Sequence, residues 1–140
     1  MGRSYWFECP KCGYRGKVSG RADRGLSFAV QTILCSDCKE LYDAVTRLKV
    51  PDHWGGLGTL SELRKARFPK AHARIASPPA FMAVLNRLPP AGSKRFRWLP
   101  FKLQCPVSAV HRVRSWNDPD FCPKCGIYLE KSALPYRLWE

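Results

Sequence analysis

Three Cys-x-x-Cys pairs, Cys9–Cys12, Cys35–Cys38 and Cys122–Cys125, dominate this 140-residue chain, and a seventh cysteine stands at Cys105. Two of the pairs sit in near-identical hexapeptides, ECPKCG at 8–13 and FCPKCG at 121–126. A Cys-x-x-Cys turn aims two sulfurs at a common point, and a glycine after the second cysteine lets the backbone turn tightly. Seven thiols cannot all pair as disulfides. The N-terminus, MGRSYWFECPKC, has no apolar signal stretch, and Gly2 lacks the serine or threonine context of a myristoylation site. The expected location is therefore cytoplasmic, where thiols stay reduced and such pairs bind metal.

Four ligands at tetrahedral geometry satisfy zinc. Read in chain order, Cys9, Cys12, Cys35 and Cys38 make one set, with 22 residues between Cys12 and Cys35. Iron accepts the same thiolates and is the competing metal; a redox dithiol would need a βαβ context that is absent here. The second set is irregular, because Ser108 stands where the partner of Cys105 should be. His111 supplies a neutral imidazole, giving Cys105, His111, Cys122 and Cys125. His53 and His72 are the other candidates for the fourth ligand, and three ligands plus water would make a catalytic zinc. His111 is followed by Arg112-Val113 rather than by the glutamate spacing of a zinc deaminase. Two zinc ions are expected.

FECPKCGYRG, a β-rich stretch and ILCSDCKELYD together resemble the zinc-ribbon superfamily over about residues 5–50, and a second ribbon-like knuckle lies at 105–126. The resemblance implies paired β-hairpins whose knuckles clamp one zinc. It implies no particular function. The acidic dipeptide that some transcription-elongation ribbons use for catalysis has no counterpart, since no Asp-Glu pair occurs.

Alternating aromatic and β-branched residues predict strands at 5–7, 14–18, 26–34, 41–50 and 96–103, with Pro100 confining the last to an edge. The tail from Leu129 to Glu140 is expected to pack back as a strand or arm. Thr59-x-x-Glu62 has capping-box spacing and predicts a helix over 60–67; Ser77 before a proline predicts another over 78–88, stopped by Pro89-Pro90. The expected fold is a small metal-stabilised α+β chain: a zinc-ribbon unit at 1–50, a basic helical, Pro-rich segment at 51–104, and a second zinc-binding unit with a tail at 105–140.

Net charge is +13, and the central segment carries ten basic and two acidic groups. Arg64, Lys65 and Arg67 form one cluster; Arg95 and Arg97 form another, interleaved with Phe96, Trp98 and Phe101. Basic groups release counterions from phosphates and aromatic rings stack on unpaired bases, so Arg64, Lys65, Arg67, Arg95, Arg97 and Trp98 are the candidate nucleic-acid contacts, RNA or DNA. The bland alternative makes the rings core and the cations solvated. A protein adaptor that docks a partner through a ribbon edge strand is the second functional class. No paired catalytic carboxylates, nucleophile elbow or phosphate loop is visible, so no enzyme is expected. No run of 18 apolar residues suggests a membrane partner.

Overall fold

The computed structural model describes residues 1–51, 81–82 and 96–140. Nine strands follow in chain order: β1 Gly2–Glu8, β2 Arg15–Val18, β3 Asp23–Arg24, β4 Phe28–Cys35, β5 Glu40–Pro51, β6 Phe96–Pro100, β7 Val113–Ser115, β8 Glu130–Lys131 and β9 Arg137–Trp139. The expected α+β class is thereby corrected: the described residues are essentially all β, in two sheets. Among the described residues only Phe81–Met82 have helical conformation. The rest of the helices expected over 60–67 and 78–88 lies outside the described residues. No helix among the described residues is long and apolar enough to cross a membrane.

Both sheets use the same plan. In the first, β1 forms a hairpin with β2 on one edge, while β8 and β9 pair with its other edge, all antiparallel. In the second, β4 forms a hairpin with β5, and β3 and β7 share its other edge; β6 extends the sheet beyond β5. Each N-terminal hairpin is therefore completed by strands from the C-terminal third. The N-terminal and C-terminal segments share both sheets: β8 and β9 cover the open edge of β1, and β7 covers the part of the β4 edge that β3 leaves open.

Side chains that alternate along β1 and β4 fill a core between the sheets. Phe7, Val18, Leu34, Leu41, Leu129 and the two cysteines Cys9 and Cys122 surround Trp116, which is fully buried. Phe7 meets Trp116 edge to face at 5.1 Å, and the indole N–H donates to the carbonyl of Phe121 at 2.8 Å, so the buried ring leaves no donor unpaired. A second cluster joins Phe28, Val30, Val45 and Leu48 to Trp139, whose ring stacks on Phe28 at 4.5 Å. Gly2 is required beside it, since a Cβ there would collide with the Trp139 ring.

Polar bonds also tie the sheets. The Asp43 carboxylate accepts from the Ser19 amide at 3.0 and 2.9 Å, from the Ser19 hydroxyl at 3.2 Å and from the Thr32 hydroxyl at 2.7 Å. Thr32 in turn accepts the Gly20 amide at 2.8 Å. Enclosure of Asp43 raises its pKa to about 6, although these donors act in the opposite direction.

Candidate metal centres and basic sheet face

Sheet pairing decides which cysteines meet. Pairing of Phe7 with Lys131 and Glu8 with Glu130 brings the 122–125 turn opposite the 9–12 turn. Pairing of Leu34 with Arg114 and Cys35 with Val113 brings the 105–111 loop against the 35–38 turn. All eight expected ligands come together, but with partners exchanged: one group is Cys9, Cys12, Cys122 and Cys125, and the other is Cys35, Cys38, Cys105 and His111. The expected sequential sets, Cys9 to Cys38 and Cys105 to Cys125, are corrected to nested ones. The reason is topological, since each hairpin turn faces a turn delivered by the C-terminal segment.

Both groups fit a tetrahedral ion. Ligand atoms within each group lie within 4.8 Å of one another. In the first, Cys9 Sγ is 3.2 Å from Cys125 Sγ and Cys12 Sγ is 3.7 Å from Cys122 Sγ. In the second, Cys38 Sγ is 3.7 Å from Cys105 Sγ and 3.3 Å from His111 Nδ1, while Cys35 Sγ is 3.7 Å from that nitrogen. A tetrahedral ion with metal–sulfur bonds of about 2.3 Å places sulfurs about 3.8 Å apart. Disulfide sulfurs lie at about 2.05 Å, and all seven cysteines are free.

The first cysteine of each half-site is buried, whereas Cys38, His111 and Cys125 are half-buried and Cys12 is exposed. Each inner sulfur also accepts a backbone N–H: Cys9 from Cys12, Cys35 from Cys38, Cys105 from Val107 and Cys122 from Lys124, at 3.3–3.4 Å. Such donors favour thiolate and orient it toward a metal. Burial opposes ionisation of Cys9, yet the amides of Cys12 and Lys11 and the Cys125 thiol outweigh it and lower its pKa to about 6. For Cys125 the Ile127 amide favours the thiolate, but hydrogen bonding with Cys9 and burial push it up to about 12. Cys38 is pushed up to about 11, because burial and the neighbouring Cys35 and Cys105 outweigh the Tyr42 hydroxyl that donates to it. Four clustered thiols lose one proton readily and the others only when a cation compensates the charge, which is the chemistry of a metal-thiolate site.

The two CPKCG turns are alike in detail. Gly13 and Gly126 have φ of 74° and 78°, and their amides donate to the carbonyls of Cys9 and Cys122 at 3.0 and 3.1 Å. They are the two halves of one site, related by the hexapeptide echo. That echo is the sequence signal for the pairing, and ligand spacing alone misses it. The second site lacks this symmetry. Lys39 occupies the positive-φ position at 53°. The Ser108 hydroxyl accepts the Val110 amide and its carbonyl accepts the His111 amide, a local turn that carries His111 to the place a second cysteine would take. Asp37 accepts the Arg112 amide at 2.7 Å and Ser36 donates to the Arg112 carbonyl at 3.0 Å, pinning that loop to the opposing turn. The alternative ligands His53 and His72 lie outside the described residues.

Of the candidate nucleic-acid contacts, Arg64, Lys65, Arg67 and Arg95 lie outside the described residues, as does the side chain of Arg97 on β6. Trp98 is described and half-buried. Residues that sequence reasoning missed surround it. Across β3, β4, β5 and β6, Arg24 pairs with Ala29, Ala29 with Arg47, and Lys49 with Trp98. The Arg24 guanidinium lies 4.7 Å from the Trp98 ring centre, and Lys49 Nζ lies 4.5 Å from that of Phe96. Arg24, Arg47 and Trp98 line an open groove of about 580 Å³ on this sheet face. Arg24 of β3 joins Arg47 and Lys49 of β5 beside Trp98 of β6 only through cross-strand register, which no local sequence signal reports.

No protein family, curated protein or solved structure matches the chain.

Proposed function

We propose that the chain is a non-enzymatic, zinc-stabilised module that binds single-stranded nucleic acid on the outer face of its second sheet. The supporting observation is the row of Arg24, Arg47 and Lys49 beside Trp98 and Phe96 on one sheet face. Sheet-borne aromatic rings stack on splayed bases, and interleaved cations meet the phosphates between them. Net charge of +13 favours a polyanionic partner. Zinc suits both ligand sets, one of four thiolates and one of three thiolates with an imidazole. Both ions would act structurally, since each set is complete without water.

Fluorescence anisotropy with labelled single-stranded oligonucleotides tests this reading. Neutralisation of about three phosphates gives a slope of log affinity against log salt of roughly −2. Replacing Arg47 and Lys49 with glutamine is expected to flatten that slope by about 1.4 units. Absence of binding at low salt refutes the nucleic-acid reading and leaves the adaptor, for which β2 and β6 pair on one side only among the described residues. Elemental analysis decides the metal, and iron in the purified protein would refute zinc.

A further inference from the structure

A groove of about 450 Å³ lies away from the basic sheet face, lined among others by Ser4, Lys17, Tyr42, Asp43, Tyr136 and Arg137, and Tyr42, which donates to Cys38, marks its border with the second metal cluster. Its volume falls in the range of small-ligand sites, which are mostly apolar with a few convergent polar groups. Three observations give it the character of a phosphate-and-ring site. Ser4 is buried at 2% exposure, and its hydroxyl has no hydrogen-bond partner among the described residues. A buried hydroxyl is ordinarily paired, so this one has its hydrogen-bonding capacity free for a ligand in the groove. Lys17 and Arg137 bring two positive charges, and neither makes an ion pair among the described residues. Lys17 is held in place, its Nζ 4.4 Å from the centre of the Trp6 ring and 4.6 Å from that of Tyr136, while those rings meet edge to face at 5.5 Å. Tyr42 and Tyr136 offer aromatic walls. Asp43 is the one carboxylate of the lining among the described residues, and its oxygens are bonded to Ser19 and Thr32.

We infer that this groove binds a 5′-phosphorylated nucleoside, its base against the tyrosines and its phosphate between Lys17 and Arg137, with Ser4 completing the polar contacts. The charge of the lining selects the phosphate, and the apolar, aromatic remainder selects a planar ring over inorganic phosphate alone. This ligand is free nucleotide or the 5′ end of a strand, and the site is separate from the sheet face that carries the proposed strand binding.

Titration calorimetry of the metal-loaded full chain with adenosine 5′-monophosphate, adenosine and inorganic phosphate tests the inference. The monophosphate is expected to bind at one equivalent, with adenosine and phosphate each at least about tenfold weaker. Lys17→Gln and Arg137→Gln are each expected to weaken it by roughly tenfold, with metal content and unfolding temperature confirming intact folds. Arg47→Gln, on the other sheet face, is expected to leave it unchanged while weakening oligonucleotide binding, so the two sites fail independently. Competition by a 5′-phosphorylated dinucleotide assigns the site to a strand end; competition by the mononucleotide alone assigns it to free nucleotide. No saturable binding of the monophosphate, equal binding of inorganic phosphate, or indifference to both substitutions would overturn the inference.

Discussion

Tyr14 and Leu41 are joined across the two metal-bearing turns: the Leu41 amide donates to the Tyr14 hydroxyl at 2.9 Å, and that hydroxyl donates to the Glu40 carboxylate at 3.0 Å. Tyr14 follows the Cys9–Cys12 turn, and Glu40 and Leu41 follow the Cys35–Cys38 turn. Burial, outweighing the Leu41 amide, and the nearby Glu40 raise the phenol pKa, so it stays a neutral donor at any physiological pH. One hydroxyl thus links the two metal-bearing turns.

Tyr14→Phe removes that hydroxyl and leaves the buried Leu41 amide without its acceptor. The expected loss is about 1–2 kcal/mol in denaturant unfolding, with both metal equivalents retained in elemental analysis. Loss of either metal would show that the tyrosine does more than couple the turns.

Paired cysteine substitutions read out the nesting. Cys9→Ser with Cys125→Ser is expected to remove one metal equivalent, because both ligands belong to one cluster. Cys9→Ser with Cys35→Ser is expected to remove both. Sequential sets would give the opposite pattern for the two double variants. Each structural site contributes on the order of 10 kcal/mol at neutral pH, so chelation is expected to unfold the chain, followed by circular dichroism.

Asp43 makes stability depend on pH in a direction unlike that of most carboxylates. Its folded pKa is raised to about 6 from the ordinary 3.8, so the folded state holds the proton more tightly than the unfolded chain. Its contribution is therefore most favourable below pH 4 and is lost as pH rises to about 6. The stability difference between wild type and Asp43→Asn is expected to fall by about 1 kcal/mol from pH 5 to 7 and then to level off. Measuring from pH 5 upward keeps the thiolate ligands metal-bound; a difference that grows with pH would contradict the raised pKa.

Lys39 occupies a positive-φ position that glycine fills in both CPKCG turns. Lys39→Gly is expected to stabilise by about 0.5–1 kcal/mol, and Gly13→Ala and Gly126→Ala to destabilise by about 1 kcal/mol each. Nothing stands within 4 Å of a Cβ at Gly13 or Gly126, so backbone strain alone carries the cost. Thermal unfolding of the three variants checks the ranking.

Ligand identity and strand identity were legible in the sequence because both are local. A Cys-x-x-Cys turn aims its two sulfurs whatever its partner, and alternation along residues 28–35 or 40–51 marks a strand without naming its neighbour. All eight ligands, the hairpins and the returning tail could be read that way. Partnership could not. Cys9 meets Cys125 rather than Cys35 because β8 and β9 cover the free edge of β1, and Cys35 meets His111 because β7 covers the free edge of β4. Arg24 reaches Trp98 for the same reason, through pairings that run across four strands. Hydrogen bonds between edges far apart in the chain depend on register and on which edges remain open, and only the folded sheets decide both.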